Sequence, residues 1–517
     1  MKSINSRQSN KKVVIIALDA AETSLIEKWM KEGYLINLAS LRSKGAFGKL
    51  SSSAEWLAGS PWPTFYTGTL PGEHGLYHYV QWKSDKMEYE RPGPEWINAV
   101  PFWRHPDNEY RTIAVDVPLT FPPVPFNGIE ISGWASHDGI YPTSSYPKEK
   151  IEWVKKNFGK APISIEMGGL QTMTDLFNIK EELIVANQKE TELVASLINS
   201  EEWDLFICCF SSTHRGGHKL WDATNVRDSI NDEQRLIFQD WLRDIYQSCD
   251  NAVGKILESV KDDVTVMIFS LHGMGANTSL AEYFLPKMIS NIINETVSRQ
   301  KKENIVKKLR KKIPLEWRSN LKKLLPLPIQ DKITAYWRMA GIDWNKTKVF
   351  NLLADLQGYI RINLKGREKE GIVEEGDEYN QLCNKLIEGL KTFKDADTME
   401  TIVDSIIRKD QLFNKGNGFD NLPDLLVKWK FKPAAKYRKI VSSEFGELEW
   451  PMPGKNPDGR SGNHRPEGFL IAKGEGFKAD SFIDDKHIID LAPTILKHLN
   501  VSIPNWMRGS AINKESL

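Results

Sequence analysis

Several short apolar runs in this sequence are each followed closely by polar residues that can bind a metal ion or a phosphate group. The runs VVIIAL, DLFICCF and VTVMIFSL precede Asp19, then His214 and His218, and then His272, while His464 lies further on in GRSGNHRPEGFLIA. Uninterrupted apolar runs of this length are typical of parallel strands that are covered on both faces. Open α/β sheets carry their chemistry at the carboxyl ends of such strands. We therefore predict a metal site that the fold assembles from distant segments.

The segments between these runs alternate between helical and strand-like patterns. A helix predicted over 181–200 leads into a strand at 204–210, and a helix over 232–260 leads into a strand at 264–270. This alternation predicts an α/β fold with a mostly parallel central sheet and helices on both faces. The chain has 517 residues, of which 40% are apolar, so it can bury a large core. We expect one α/β domain over 1–517.

Two regions depart from this alternation. Residues 80–150 are rich in Pro, Gly and aromatic residues, and we expect them to form an irregular cover over the active-site end of the sheet. Residues 278–345 are predicted to be a basic helical insertion, in which 299–323 carry eleven Lys or Arg against two Glu. One interpretation of 299–323 is a solvated helix face. The alternative is an amphipathic segment that contacts anionic lipid or guides an anionic substrate.

Charge and cysteine content limit the classes of partner and compartment. The net charge of +1 implies no general attraction to nucleic acid. The polar N-terminus lacks the apolar core of a signal peptide, and no run approaches the roughly 18 apolar residues of a membrane span. The four cysteines show no C-x-x-C spacing. We expect a cytoplasmic protein with free thiols.

Hydrolysis of a phosphate ester needs an activated nucleophile and stabilisation of the charge on the phosphoryl oxygens. Divalent ions held by imidazole and carboxylate groups can supply both. Ser60 precedes Pro61 at a predicted helix start, an arrangement that favours Ser at the cap and Pro at the first helical position. Free N–H groups at a helix start also favour a bound anion. Ser60 is therefore the candidate nucleophile.

The order of these segments resembles the alkaline phosphatase superfamily, most closely its type I phosphodiesterase and nucleotide pyrophosphatase branch. The matching pieces are IIALDAAE, GSPWPTFYTGTLPGEHG, FSSTHRGGH, FSLHGMG, SGNHRPEGFLIAKGEG and IIDLAPTIL. They extend over nearly the whole chain and leave 278–345 least covered. The resemblance implies an alkaline phosphatase-like three-layer sandwich and a metal-dependent hydrolase of phosphate esters.

The resemblance also implies two metal sites around a Ser or Thr nucleophile. Asp19, Ser60 and His272 would form the site that activates the nucleophile. His218 and His464 would bind the second ion, together with His214, which stands where the family usually has an aspartate. Zinc is the expected metal, as one or two ions, with manganese as the alternative.

The chain departs from the family pattern at two positions. Leu271 precedes His272 where the family usually has Asp, so the nucleophile-side site would lose a carboxylate. When the chain is aligned with the family pattern without gaps, Ala58 falls at the nucleophile position. Ser60 is chosen instead for its place at the helix start, with Thr64 as the alternative.

A further set of residues is a candidate for binding the substrate. Asp355, Arg361 and Arg367 lie in DLQGYIRINLKGR, where an arginine could hold a phosphoryl oxygen with two hydrogen bonds. The other interpretation is a strand with ordinary surface charges.

We expect a phosphodiesterase or phosphatase that acts on a small phosphorylated substrate through a phosphoseryl intermediate. One alternative is a sulfatase-type hydrolase, although Ser60-Pro61 is not followed by the Arg that those enzymes need. The other alternative is a non-catalytic binding protein with a degenerate metal site, for which Leu271 is the main support.

Overall fold

The computed structural model of this chain describes residues 11–92, 96, 100–136, 142–164, 166, 168–294 and 342–512. The predicted insertion over 278–345 lies largely outside the described residues, and the basic segment 299–323 lies wholly outside them.

Strands occur along the whole described chain. They are β1 (Val13–Leu18), β2 (Ala46–Ser51), β3 (Gln81–Lys83), β4 (Glu88–Glu90), β5 (Thr112–Val115), β6 (Gly128–Ser132), β7 (Ser144–Tyr146), β8 (Leu205–Phe210), β9 (Thr265–Ser270), β10 (Gly273–Ala276), β11 (Val349–Asn351), β12 (Gly358–Ile362), β13 (Lys394–Asp395), β14 (Val403–Arg408), β15 (Leu425–Trp429), β16 (Lys439–Ser442), β17 (Gly446–Glu449), β18 (Gly462–Arg465), β19 (Gly468–Lys473) and β20 (Ser481–His487).

Helices separate these strands. They are α1 (Thr23–Lys31), α2 (Ile36–Lys44), α3 (Pro61–Thr67), α4 (Pro71–His74), α5 (Glu149–Phe158), α6 (Met173–Ser200), α7 (Ser212–Leu220), α8 (Asp232–Glu258), α9 (Leu285–Ile293), α10 (Asp377–Lys391), α11 (Lys409–Leu412) and α12 (Leu491–His498).

A nine-stranded sheet forms the centre of the described structure, in the order β20-β2-β19-β9-β1-β8-β5-β6-β7. The pairs β20–β2, β9–β1, β1–β8, β8–β5 and β5–β6 are parallel, whereas β19 runs antiparallel to both of its neighbours and β7 runs antiparallel to β6. The predicted mostly parallel α/β sandwich is therefore confirmed. The order places β1, β8 and β9 side by side, so their carboxyl ends share one edge.

Alternate residues of β1 enter two separate apolar cores. Val14, Ile16 and Leu18 pack in one core with side chains of α2, α6 and α8. The odd-numbered residues pack in another core with side chains of α3 and α12. Because both faces of β1 are covered, the apolar run has no polar interruption until Asp19.

A second, smaller sheet lies C-terminal to α9. Its strands follow the order β11-β12-β15-β14, and all of their pairings are antiparallel. This sheet packs with α9 and α10 around its own apolar core.

The expectation of an irregular cover over 80–150 is wrong for its second half. Strands β5, β6 and β7 come from this region and extend the central sheet. The signal in the sequence is weak because β5 and β6 are four and five residues long. Both are buried along their whole length, as central strands must be.

Two expectations concern the membrane and the cysteines. Among the described helices, none has the length and apolar character needed to cross a membrane. All four cysteines are buried thiols without a disulfide, and Cys208 and Cys209 lie in β8 as predicted.

Candidate metal centre and active site

Asp19 is the first residue after β1 and lies 3% exposed at the edge of the sheet. Its backbone N–H donates to the carbonyl of Phe210 at the end of β8, which fixes the turn. One carboxylate oxygen accepts a hydrogen bond from the Trp62 indole at 2.9 Å, and the other lies 2.6 Å from Nδ1 of His214. Asp19 therefore links the start of α3 to α7.

Two histidines project from the same face of α7, because residues four apart are neighbours on a helix. Nε2 of His214 lies 3.1 Å from Nε2 of His218. His218 donates its Nδ1–H to the Gly462 carbonyl at 2.9 Å, since a carbonyl can only accept. The two glycines between these histidines permit close packing. A Cβ at Gly216 would lie 2.7 Å from the Ile245 side chain, and a Cβ at Gly217 would lie 2.6 Å from the Met274 side chain.

Strand β18 brings the third histidine to this place by pairing with β10. The pairing aligns His464 with Met274. The backbone of β18 also approaches α7 so closely that a Cβ at Gly462 would lie 2.1 Å from the Gly217 carbonyl oxygen. The His464 ring stacks on that of His272, with centroids 4.7 Å apart.

His214, His218 and His464 form a cluster in which one ring nitrogen from each residue lies within 4.8 Å of the other two. We call it the tri-histidine cluster. Zinc–nitrogen bonds of about 2.0–2.1 Å in tetrahedral geometry place ligand nitrogens about 3.3 Å apart. The separation of 3.1 Å between Nε2 of His214 and Nε2 of His218 is close to this value.

The protonation of the cluster also fits a cation. When Nδ1–H of His214 donates to Asp19, the Nε2 atoms of His214 and His218 both present lone pairs, which repel unless a cation lies between them. Burial, and then the charge of Arg460, lowers the pKa of His218 well below its usual value. Burial and, second to it, the electrostatic influence of His272 lower the pKa of His464 well below its usual value. Nδ1 of His464 is buried without a hydrogen-bond partner among the described residues. These residues therefore fit a bound divalent ion.

Ser60 lies at the start of α3, and the helix runs from Pro61 to Thr67 and ends at Gly68, as predicted. Its side chain does not cap the helix, because its backbone is already helical (φ −94°, ψ −16°) rather than extended. Its hydroxyl is fully buried and lies 2.7 Å from both the Leu57 carbonyl and the Ser53 hydroxyl. The helix that begins after Ser60 is linked to the cluster through Trp62 and Asp19.

Thr64 belongs to the same group of hydroxyls, 3.2 Å from Ser53. Nδ1 of His74 accepts the backbone N–H of Leu76 at 3.0 Å, so the neutral ring carries its proton on Nε2. That Nε2–H donates to the Thr64 hydroxyl at 3.1 Å. His74 in this state cannot take a proton from Thr64, which disfavours Thr64 as the nucleophile.

The buried His74 leads to a prediction about stability in acid. Burial lowers the pKa of His74 to about 3 from an unfolded value near 6.5. Between these two values the unfolded chain binds a proton that the folded chain does not. The free energy of unfolding should therefore fall by roughly 1.4 kcal/mol for each pH unit below 6.5 because of this residue. Urea titrations at several pH values should show a shallower decline for His74→Asn, and identical slopes would contradict the prediction.

Leu271 is 1% exposed and packs in the same apolar core as Phe269. The position where the family usually has Asp is thus part of the core. Both oxygens of Asp19 are engaged by Trp62 and His214, and the ring of His272 lies 4.7 Å from that of His464, so Asp19 and His272 both border the tri-histidine cluster.

The three candidate substrate-binding residues separate into two groups. Asp355 lies at the edge of the cluster, 3.3 Å from both His78 and Arg460, and its carbonyl accepts a hydrogen bond from Asn463. Burial alone would raise the pKa of Asp355, but the charges of His78 and Arg460 hold it below its usual range.

Arg361 and Arg367 lie elsewhere, in a buried ionic cluster. Arg361 is 1% exposed and binds Glu368 at 2.7 Å, whereas Arg367 binds both oxygens of Asp424 at 2.6 and 2.7 Å. Both arginines therefore stabilise the smaller sheet, and a role in substrate binding does not fit this placement. The sequence pattern did not reveal this placement, because a strand with charged residues looks the same in sequence whether those residues form buried ion pairs or lie on the surface.

Two of three further residues at the site, Glu22 and Arg460, were not predicted from the sequence. Trp62 orients Asp19, and Glu22 accepts the backbone N–H of Met274 at 3.0 Å, which joins the turn after β1 to β10. Arg460 lies beside the cluster, four residues before His464. Its position in GRSGNH was the available signal, since a cation close to a metal ligand in sequence can reach the same site.

A solved structure of another protein shows the same fold. The chain is similar to phosphonoacetate hydrolase from Sinorhizobium meliloti 1021 in complex with phosphonoformate, with a TM-score of 0.52 at 10% identity over 95% of each chain. It is also similar to human ectonucleotide pyrophosphatase/phosphodiesterase 5, with a TM-score of 0.47 at 11% identity over 97% of each chain. None of the curated proteins matches this sequence.

The profile of the type I phosphodiesterase/nucleotide pyrophosphatase family matches residues 13–432. This range includes Asp19, Ser60, His214, His218 and His272, and it covers most of the 517 residues. The chain therefore belongs to the type I phosphodiesterase/nucleotide pyrophosphatase family of the alkaline phosphatase superfamily and is a phosphoric ester hydrolase.

Proposed function

We propose that the chain hydrolyses a small phosphate ester with Ser60 as the nucleophile and with a divalent ion held by His214, His218 and His464. The observation that carries this proposal is the convergence of three buried imidazoles beside Asp19. The family is metal-dependent, which agrees with this donor set. Asp19 would orient His214, as carboxylates commonly do for metal-binding imidazoles.

Three neutral imidazoles favour zinc, and manganese is the second candidate. A bound ion would supply Lewis-acid stabilisation of the phosphoryl oxygens. Because Leu271 leaves the nucleophile side without its second carboxylate, we propose one tightly bound ion rather than two.

The reaction follows from the position of Ser60 at the start of α3. Ser60 loses its hydroxyl proton to solvent, its Oγ bonds to phosphorus, and the leaving oxygen departs with the electron pair of its bond and takes up a proton. Water then attacks phosphorus, the Oγ–phosphorus bond breaks, and Ser60 regains a proton. Among the first three residues of α3, only Trp62 carries a backbone N–H that an anionic phosphoryl group could use, because Pro61 and Pro63 lack one. The buried Ser60 hydroxyl must first rotate away from the Leu57 carbonyl.

Replacement of Ser60 tests the nucleophile. Ser60→Ala should lower kcat by at least about 100-fold, because covalent catalysis through this hydroxyl is lost. Thr64→Ala serves as the matched control, since it removes a neighbouring hydroxyl of the same group. Trapping of a phosphorylated serine, followed by mass spectrometry, should locate the phosphate on Ser60. Full activity of Ser60→Ala with loss of activity in Thr64→Ala would refute the assignment.

The class of reaction is tested with three aryl esters. We expect p-nitrophenyl phosphate or bis-p-nitrophenyl phosphate to be hydrolysed, and p-nitrophenyl sulfate to be a poor substrate. The preference between the first two separates a phosphatase from a phosphodiesterase. Faster hydrolysis of the sulfate would favour the sulfatase alternative, and no hydrolysis with any added metal would favour a binding protein.

A further inference from the structure

The hydroxyl of Ser60 is buried, although the reaction proposed above requires it to lose a proton. Ser60 is fully buried, and its Oγ lies 2.7 Å from the Leu57 carbonyl oxygen and 2.7 Å from the Ser53 hydroxyl. A hydroxyl carries one hydrogen, so Ser60 donates to only one of these acceptors at a time. A proton in this position must leave through a group that the hydroxyl contacts.

The Leu57 carbonyl cannot carry this proton away. A peptide carbonyl accepts hydrogen bonds but has no hydrogen of its own to pass on, and that of Leu57 already accepts the backbone N–H of Ser60 at 2.9 Å. A serine hydroxyl both accepts and donates, so it can receive one proton while it releases another. Ser53 is therefore the contact of Ser60 through which a proton can move.

The directions of the hydrogen bonds around Ser53 follow from the state of His74. Because Nε2–H of His74 donates to Thr64 at 3.1 Å, the Thr64 hydroxyl needs another acceptor for its own hydrogen. Thr64 is fully buried, and its other hydroxyl contact among the described residues is Ser53, at 3.2 Å. A buried hydroxyl without an acceptor is costly, so Thr64 donates to Ser53.

Ser53 is the partly exposed member of this group, whereas Ser60, Thr64 and His74 are fully buried. The two lone pairs of the Ser53 hydroxyl oxygen accept from Thr64 and from Ser60. The hydrogen of that hydroxyl has no acceptor among the residues that the structure describes. Water is therefore the acceptor that completes the hydrogen bonding of Ser53.

The backbone holds Ser53 beside Ser60 and close to the strand of a metal-binding histidine. Residues 53–55 form a single 3-10 turn after β2, and the backbone N–H of Leu57 donates to the Ser53 carbonyl at 3.0 Å. This turn also approaches β18, the strand that carries His464. The group that would receive the Ser60 proton thus belongs to the wall of the candidate site.

We propose that Ser53 passes the proton of Ser60 to solvent as Ser60 attacks phosphorus. The Ser60 O–H bond breaks and its hydrogen bonds to Oγ of Ser53, while the original O–H bond of Ser53 breaks and that hydrogen passes to water. Ser53 ends as a neutral hydroxyl, and Ser60 keeps the electron pair that forms the bond to phosphorus. The inference rests on the proposed function and assigns a proton-transfer residue to the same site.

Removal of the Ser53 hydroxyl tests this transfer. Release of p-nitrophenolate in a single turnover, from whichever p-nitrophenyl phosphate ester the protein hydrolyses faster, measures the attack by Ser60. Ser53→Ala should slow this step by roughly 10- to 100-fold with an unchanged KM, because a positioned proton acceptor commonly contributes about 100-fold or more and water replaces part of it. Ser53→Thr keeps a hydroxyl at this place and should retain most of the rate.

Two further variants separate proton transfer from a loss of stability. Ser51→Ala removes an exposed hydroxyl of the same serine run, which donates to the Lys486 carbonyl at 3.1 Å, and it should keep the wild-type rate. Ser53→Ala leaves the buried Thr64 hydroxyl without its acceptor, so the double variant Ser53→Ala/Thr64→Val removes both groups together. The double variant should be as slow as Ser53→Ala. A wild-type rate in either of them would overturn the inference.

The solvent isotope effect is a measurement that a merely structural role of Ser53 would not change. Because the Ser60 and Ser53 protons move together in the wild-type protein, its single-turnover rate should depend non-linearly on the fraction of D2O. Ser53→Ala should give a linear dependence, since only the Ser60 proton then moves. A linear dependence in both proteins would contradict the transfer through Ser53.

Trapping of the phosphorylated protein distinguishes failure of this inference from failure of the proposed function. Phosphate on Ser60 in Ser53→Ala, formed at the wild-type rate, would refute the role of Ser53 and leave the nucleophile assignment intact. Absence of phosphate from Ser60 in the wild-type protein would refute the proposed function, and the role of Ser53 with it.

Discussion

Replacing His218 by Ala should remove the bound metal and lower kcat/KM by more than about 100-fold. Loss of a group that merely supports a metal ligand already costs about 10- to 100-fold in affinity or activity, so loss of a ligand should cost more. His218 belongs to the tri-histidine cluster, and its Nε2 lies 3.1 Å from Nε2 of His214. Metal content by mass spectrometry and hydrolysis of an aryl phosphate would be measured on the same preparation. His464→Ala should give the same result.

The control for this experiment is His105→Ala. His105 is partly exposed and stacks on Trp506, remote in sequence from every residue of the cluster. This variant should keep its metal and its activity. Circular dichroism would verify that the His218 and His464 variants are folded. Full metal content in folded His218→Ala would show that the ion is bound elsewhere.

Replacing Asp424 by Asn should destabilise the protein by about 3–5 kcal/mol, the usual cost of leaving a buried cation without its partner. Asp424 is completely buried, binds Arg367 with both oxygens, and accepts the backbone N–H of Ile362 at 2.7 Å. Burial alone would raise the pKa of Asp424, but Arg367 and Lys409 hold it well below its usual range. Denaturant unfolding would measure the loss.

The matched control is Asp420→Asn, because the Asp420 side chain is 82% exposed and lies 4.0 Å from Lys409. Its effect on the free energy of unfolding should be much smaller. The folded fraction of Asp424→Asn should keep its metal content and its KM, since this ionic cluster lies apart from the tri-histidine cluster. A change in KM without a loss of stability would instead support the original assignment of Arg367 to substrate binding.

The elements of the central sheet were predictable where the apolar pattern is long. Strands β1, β8 and β9 and helices α6 and α8 have continuous apolar runs or long amphipathic periods, which identify them directly. Strands β5, β6 and β7 were not recognised as parts of this sheet. They are three to five residues long, and their place in the sheet depends on pairing with β8.

The candidate site shows the same division. The family resemblance implied that His214 and His218 act together, and the structure places both on α7. The contact of Asp19 with His214 joins residues 195 positions apart, and it gives Asp19 an orienting role that the motif order did not suggest. The arginines show the reverse case. The sequence made Arg361 and Arg367 candidates for holding a phosphoryl oxygen, but in the structure buried carboxylates bind both of them.

The sequence by itself determined the α/β class, the family and the set of polar residues that follow the strands, because these depend on local periodicity and short motifs. Only the tertiary structure decided which of these residues meet. It brings three histidines together through the β10–β18 pairing, directs Asp19 toward an imidazole and places Leu271 in the core. The physical reason is that distances between segments depend on strand order and backbone approach, which no local pattern encodes.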